Sequence, residues 1–521
     1  MKRNSIMMQQ VGLLPFEFQP DHPESKLTSF SGLPLYLDMV LASGLDKKIQ
    51  ETLSTKYQGW NDVQIIISLI CLNLVGGTSV EDIDRMENDQ GFRELLLKIE
   101  TYGMTRKARR EHQRRWRKQK QRALPSSSVL RRYLEKFHHA EEESLREKGK
   151  AFIPANNVLL NQLVSLNQVL INFAQEKNPS KVATLDQDAT LCETYKESAL
   201  YCYKKFKAHQ PFNTYWHEQG LIIHSEFRDG NVPAGYEQKR LLEESLDRLP
   251  SGVNEVYLRS DSAGYQQAVL TYCAEGHNER FGVIEFAIAA RVTSAFKTAA
   301  LEVPEEDWHP VITQDKDGHT FQTQQEWAEV CFVPNFVAAS KDDHAVYRYI
   351  AIRERMREQM TLDEIAPVQQ DLPFPTVDMH QQPYKLFAIV TNRTLEGNEL
   401  INWHRKRCGD SEHIHSIEKK ELAGGKMPSK YFGANAAWWH CMVFALNLHG
   451  LMQLLALPAS LKNKRFKAVR FLLIGVAGRY IRHARRLILK LSGGQQVWEL
   501  FSSIREKIAA LLHGPPVSQA A

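Results

Sequence analysis

The sequence predicts an α/β core held between helical regions at both ends. Apolar residues recur at helical spacing up to about residue 150. Short β-rich runs alternating with helical stretches begin near Lys181, and helical patterning returns from Leu400 nearly to the end. With 521 residues, 24% of them charged and 43% hydrophobic, the chain has room for roughly two to four domains. The same figures exclude the disordered, collagen-like and coiled-coil classes.

In the first region, Val63, Ile65 to Ile67, Leu69, Ile70, Leu72 and Leu74 predict a largely buried helix over 62–74, punctuated by Gly76-Gly77. Thr78 and Ser79 can cap a second helix through Val80, Ile83 and Met86, with Asp82 placed as in a capping box. A third helix covers 92–99. A fourth follows Leu124-Pro125-Ser126-Ser127-Ser128 and carries Leu130, Tyr133, Leu134 and Phe137 together with Arg131 and Arg132. A helix, a glycine turn and a capped helix suit helix-turn-helix DNA binding, and equally suit a plain helical bundle.

The core begins with strand-like runs at 182–190, 220–227, 253–260 and 281–289, with helical stretches at 237–248 and 262–274 between the last three. Strands at 330–333, 347–352 and 386–391 follow, separated by polar loops. From Leu400 the pattern is helical, broken at Gly424-Gly425, Pro458 and Gly493-Gly494, and the tail from Gly514 is expected to be disordered.

A net charge of +5 hides a strong asymmetry. Residues 106–122 hold ten Lys/Arg and one acid, Glu111, and residues 462–490 hold ten more and no acid, so the rest of the chain is net acidic. Basic blocks on an acidic protein are the footprint of a polyanion partner, because Lys and Arg release counterions from phosphates. Arg114, Arg115, Arg117 and Lys118 stand in the first block around Trp116. In the second, Arg479, Arg482 and Arg486 fall at helical spacing beside apolar residues. Seven scattered cysteines without a Cys-x-x-Cys pair argue against a disulfide framework and a thiolate zinc site, and fit a reducing cytoplasm. No secretion signal is expected at the N-terminus. The most apolar stretch, 438–461, is interrupted by His440, Asn447, His449, Gly450 and Gln453, so a buried helix is expected there and no membrane anchor. No G-x-S-x-G or phosphate-loop pattern occurs.

Three sets of carboxylates could carry chemistry. Asp186 and Asp188 alternate with Leu185 and Gln187, so they project from one face of a strand, where a hard cation such as Mg²⁺ or Mn²⁺ would offset their repulsion. A solvated strand end fits that pattern equally. Asp261 follows the 253–260 strand, where α/β sheets place their sites, and also where a helix cap would stand. Arg407, Glu412, His415, Ser416 and Lys419 can share one helical stripe, which a surface salt-bridged helix would show as well.

In combination these residues resemble the DDE transposases of bacterial insertion sequences, in particular the group-1 transposase DDE domain. Asp188-Ala189-Thr190 matches the family's Asp-x-Thr, and Arg259-Ser260-Asp261-Ser262 its Arg-x-Asp-Ser. The third signature, Tyr, two residues, Arg, three residues, Glu, six residues, Lys, is met by His404, Arg407, Glu412 and Lys419, with His in place of Tyr and one extra residue before Glu412. Residues 428–435 and 444–448 continue the likeness, which spans roughly residues 60–460. Trp327 resembles family tryptophans near the DNA end, and fits a core position equally.

The resemblance implies a ribonuclease H-like catalytic core over 180–455 with a β-rich insertion at about 290–385. An all-α DNA-binding region would occupy 1–150 and a basic helical region 456–521. It implies catalytic Asp188, Asp261 and Glu412 holding two Mg²⁺ ions about 3.5–4 Å apart, with Mn²⁺ able to substitute and Asp186 in reserve as a metal ligand. DNA contacts would come from Arg407, Lys419 and His404, and from Arg114, Arg115, Arg117, Lys118, Arg131, Arg132, Arg482 and Arg486 on the basic elements. The expected function is cleavage at terminal inverted repeats and 3′-OH transfer into target DNA by a homodimer in a synaptic complex, in a bacterial cytoplasm at the nucleoid. The rival expectations are a catalytically inactive sequence-specific DNA-binding protein from a decayed element and a DxD-dependent glycosyl- or phosphotransferase, which leaves the basic blocks unexplained.

Overall fold

The computed structural model describes residues 25–513 apart from 56–58, 102–103, 112–121, 148, 316–317, 335–346, 357–374, 380 and 485. Its centre is a large mixed sheet. Five strands come first: β1 (Val182–Ala189), β2 (Phe212–Trp216), β3 (Leu221–Glu226), β4 (Glu255–Ser260) and β5 (Glu285–Ala290). They lie in the order β3-β2-β1-β4-β5. The first three form an antiparallel meander, whereas β4 runs parallel to β1 and β5 parallel to β4. Each parallel step needs a crossover, supplied by the helices α1 (Gln238–Asp247) and α2 (Gln267–Ala274).

The segment expected to be a β-rich insertion contains a helix, Ser294–Leu301, and then β6 (His309–Gln314), β7 (Thr320–Val330), β8 (Arg348–Arg355), β9 (Thr376–Met379) and β10 (Gln382–Thr391). These strands continue the same sheet, because β10 pairs antiparallel with the outer edge of β5 and β8, β7 and β6 follow in turn. Two of these strands, β6 and β9, and also β2 of the meander, were not foreseen, and the strand expected at 330–333 lies instead at Thr320–Val330. In β2, Phe-Asn-Thr-Tyr-Trp has no apolar alternation, since Asn213 and Thr214 are buried as hydrogen-bonding groups.

One face of the sheet packs Leu185, Leu258, Phe286 and Ile288 against the two crossover helices, through Leu242, Leu246, Val269 and Leu270. The opposite face receives α3 (Gly397–Ser416) through Leu400 and Ile401. Gly397 opens this helix in contact with Trp327, whose ring would lie 2.1 Å from a Cβ there. Trp327 is thus a packing residue of the core.

The stretch flagged as most apolar is α4 (Phe432–Leu455), buried on all sides over most of its length. It packs with the N-terminal helices Leu33–Ser43, Asp62–Leu74 and Ser127–Leu134 in one continuous apolar cluster. Asn447 joins this helical layer to the sheet. Its Oδ1 accepts the N–H of Ile222 at 2.9 Å and its Nδ2 donates to the Ile222 carbonyl at 2.8 Å, so the free edge of β3 is satisfied by a side chain. Among the described residues no helix is long and apolar enough to cross a membrane.

The C-terminal region departs from the all-helical expectation. Gly478–His483 and Arg486–Leu491 form a β-hairpin, and its first strand pairs with Leu27–Thr28. Exposed Arg479 stands between buried Gly478 and Tyr480, and Arg486–Leu491 alternates exposed and half-buried residues, a period of two that a helical reading of Arg479, Arg482 and Arg486 overlooks. A helix, Gly494–His513, then packs on Leu33–Ser43. The expected disordered tail lies outside the described residues.

Candidate active site

Asp188 stands near the end of β1 and Asp261 immediately after β4. The parallel register sets Asp186 opposite Arg259 and Gln187 opposite Ser260, so the next step along both strands brings Asp188 beside Asp261. Asp261 caps the short turn Ser262–Gly264 by accepting the Ala263 N–H at 3.0 Å. Burial, reinforced by the charge of Asp188, raises the Asp261 carboxyl above its ordinary range. One carboxylate is thereby held against another.

The helix α3 lies over this strand end. Arg407, itself buried, reaches Asp188 Oδ2 at 3.1 Å, and the His415 ring stands 3.6 Å from the same oxygen. Burial alone would raise Asp188, but the His415 and Arg407 charges outweigh it and hold this carboxyl below the usual range. His415 also pairs through Nδ1 with Glu418 at 3.0 Å. Burial disfavours the charged ring, yet the two carboxylates overcome that and raise His415 to about 9. Glu418 is fully buried and accepts from Asn213 Nδ2 at 2.7 Å. Asn213 Oδ1 accepts from Ser225 Oγ at 2.7 Å, and Ser225 Oγ accepts the Trp439 indole N–H at 2.8 Å. A continuous polar chain therefore runs from α4 through β3 and β2 to Asp188. Glu418 sits in a π-helical turn, Ile417–Glu421, which widens the end of α3 and lets Lys419 reach the Leu191 carbonyl at 3.3 Å.

One step back along the strands, Asp186 is fully buried in a two-pronged ion pair with Arg259, at 2.6 and 2.7 Å. Arg259 also donates to the Trp403 carbonyl at 2.9 Å and stands 3.7 Å from Asp410, which is bonded to His217 at 2.6 Å. Asp186, His217 and Asp410 place ligand-type atoms within 4.8 Å of one another, forming a possible acidic metal site. The guanidinium already neutralises Asp186 there, so this cluster has its cation without a metal.

A sequence profile described as transposase DDE domain group 1 matches residues 24–513. The chain belongs to this transposase family. No curated protein matches it. Among solved structures, a piggyBac transposase synaptic complex with hairpin DNA aligns over 94% of this chain and 83% of that one, at 8% identity and a TM-score of 0.37.

The transposase motifs fall unevenly around the strand ends. Asp188, Asp261 and Arg407 come together, and Lys419 lies beside them. Glu412 is on α3 but exposed, one position past the buried Ser411, and makes no contact with either aspartate among the described residues. His404, expected to touch DNA, faces inward: it is buried, meets the Ser260 carbonyl at 3.1 Å, and burial lowers its imidazole to about 4, leaving it neutral. Asp186, held in reserve as a metal ligand, is instead committed to Arg259. Of the basic residues, Arg131 is tied to Glu81 and the Pro428 carbonyl. Arg482 pairs with Glu94, while Arg132 and Arg486 are exposed. Arg114, Arg115, Arg117 and Lys118 lie outside the described residues. Sequence reasoning did not single out Glu418, Asn213, Asp410 or His217; the only signal for Glu418 was its position one turn after His415.

Proposed function

We propose that this transposase-family chain cuts the ends of its own element and joins the freed 3′-OH to target DNA, using Asp188, Asp261 and Glu412 as the acidic triad. The observation that carries this is the juxtaposition of Asp188 and Asp261 at neighbouring parallel strand ends beneath Arg407. The order β3-β2-β1-β4-β5, three strands antiparallel and two parallel, supports a ribonuclease H-like reading of the core, 180–455, with the strands from β6 onward as its insertion.

The donor set suits a hard divalent cation. An ionised Asp188 beside Asp261, whose proton affinity is raised by burial and by that neighbouring charge, makes a pair of oxygen ligands suited to positive charge. Mg²⁺, or Mn²⁺ in its place, would activate the attacking oxygen and stabilise the leaving one. Asp188 and Asp261 would hold it, with Glu412 turned in from α3 when DNA is bound. Arg407 and Lys419 would bind phosphate oxygens beside the scissile bond. His404 would keep the Ser260 carbonyl, and with it the Asp261 turn, in place. Terminal-repeat binding would draw on the N-terminal helices, with Arg132 and the 106–122 block, and on Arg486 of the hairpin. Pairing two ends would require a dimer acting at the bacterial nucleoid.

The exposed position of Glu412 favours one rival, a DNA-binding protein without catalysis. Cleavage of a labelled duplex carrying the DNA that flanks this gene, in Mg²⁺ or EDTA, decides between them. The expected outcome is metal-dependent nicking that leaves a 3′-OH, reduced at least about 10²-fold in Glu412→Gln and Asp188→Asn while binding persists. Binding without nicking in wild type, with Mn²⁺ also tried, would establish the rival.

A further inference from the structure

The C-terminal hairpin, Gly478–His483 with Arg486–Leu491, is mounted on the body of the protein by one of its two faces. On that face Tyr480 is buried, Leu489 and Leu491 are half-buried, and Arg482 is ion-paired with Glu94 of the helix Gln90–Glu100. The root is fixed as well. The Tyr480 N–H donates to the Lys26 carbonyl at 3.1 Å and the Ser492 N–H to the Ala477 carbonyl at 2.9 Å. A Cβ on Gly478 would lie 2.4 Å from Ser31 Oγ, so the strand is pressed against its support there. Leu27–Thr28 flanks only Gly478 and Arg479, and from Tyr480 to the tip the sheet is two strands wide.

The other face is open. Residues directly opposite each other in an antiparallel ladder point to the same side, and alternate residues along each strand share that side. The register therefore sets three cross-strand pairs on the outer face: Arg479 with Lys490 at the root, Ile481 with Ile488 in the middle, and His483 with Arg486 at the tip. Arg479, His483, Arg486 and Lys490 are exposed, Ile488 is 37% exposed and Ile481 is half-buried. Among the described residues no carboxylate pairs with any of these side chains, whereas Arg482 on the inner face has its acid. A solvated surface ordinarily intersperses both signs of charge. This face holds three cations and an imidazole around an apolar centre, and no acid.

Such a face suits a polyanion, and its shape selects which one. Two strands about 4.8 Å apart, with side chains standing off one side, fit the major groove of duplex DNA, about 12 Å wide, and are too broad for the minor groove, about 6 Å wide. We propose that this β-ribbon enters the major groove of the element's terminal DNA and reads base edges there. Arg479 and Arg486 donate to guanine O6 and N7, Ile481 and Ile488 meet thymine methyl groups, and Lys490 and His483 meet phosphates on the groove walls. Arg486 lies opposite His483, four residues along the ribbon from Arg479, a separation of about 13 Å. The readout thus covers about four base pairs at about 3.4 Å each. The inference rests on the transposase reading and adds to it the element and the groove by which one DNA sequence is distinguished from another.

The test uses the full chain, the duplex that flanks this gene and a scrambled duplex of the same composition, at one fixed salt concentration. Each guanine of the flanking duplex is replaced in turn by 7-deazaguanine, which lacks the N7 acceptor of the major groove. Wild type is expected to prefer the flanking duplex and to bind about tenfold more weakly when a guanine within one window of about four base pairs is replaced. The double variant Arg479→Gln/Arg486→Gln loses about tenfold or more on the flanking duplex, about threefold or less on the scrambled one, and its response to that window. The 7-deazaguanine scan needs no variant, so it decides the matter even where the double variant misfolds. A wild type indifferent to every replacement, or a variant weakened equally on both duplexes, makes the face a phosphate clamp and overturns the readout. Mg²⁺-dependent nicking of the flanking duplex then still upholds the transposase reading. A variant that turns from dimer to monomer in light scattering, with its preference intact, assigns the face to a second copy of the chain and also overturns the proposal. Readout without nicking keeps the ribbon and removes the catalytic reading, and a wild type that neither prefers nor nicks the flanking duplex overturns both.

Discussion

His415 sits between two carboxylates, and its charge lets both stay ionised in a small, dry volume. Its pKa near 9 in the folded protein exceeds the roughly 6.5 of an unfolded chain, so folding is favoured by protonation. The stabilisation is full below about pH 6.5 and is lost as pH rises through 9; its size is on the order of 3 kcal/mol. Thermal unfolding in EDTA should therefore show wild type well above His415→Asn near pH 6.5, with the gap closing towards pH 9.5. A gap that stays constant across this range would count against a charged His415. Asp188 and Asp261 were legible in the sequence because each lies in a short contiguous motif and because strand alternation is local. The fate of Asp186 was not, although Arg259 was in view, since their pairing depends on the register of two strands 73 residues apart. Glu418 was further from sight: its role needs a π-helical turn and a partner, Asn213, on a strand without apolar alternation.

At the scale of elements, β3 depends on α4. An edge strand normally exposes its backbone groups, and here Asn447 takes both of those belonging to Ile222. Asn447→Leu fits the volume but leaves the buried Ile222 N–H without an acceptor, whereas the Ile222 carbonyl keeps the Asn167 Nδ2 donor at 2.8 Å, so the cost is about 1–3 kcal/mol. Urea unfolding should report that loss, and hydrogen exchange should show the Ile222 amide opening first. The same long-range pairing explains what sequence patterning missed at the C-terminus. Arg479, Arg482 and Arg486 are spaced like one face of a helix, but the strand that completes their sheet, Leu27–Thr28, lies some 450 residues away. By contrast, the helices Asp62–Leu74 and α4 were legible because each carries enough apolar residues to fix its own structure.

Across the whole molecule the two ends of the chain are interlocked. Leu27–Thr28 pairs with Gly478–Arg479, the helix Leu33–Ser43 rests on Gly494–His513, and a Cβ on Gly32 would lie 2.2 Å from the Leu473 carbonyl oxygen. Removing residues 476–521 should therefore damage the N-terminal helices as well. The expected result is a fall in melting temperature of more than about 5 °C, with protease cuts appearing near residues 27–45. The interlock also bears on how the protein is made. At about 5–20 residues per second, roughly 20–90 s of translation separate Thr28 from Gly478. Throughout that interval Leu33, Tyr36 and Met39 have left the ribosome without the hairpin and last helix that complete their cover. Final closure thus waits until residues 478–513 have been made, and the half-built chain is a natural client for chaperones.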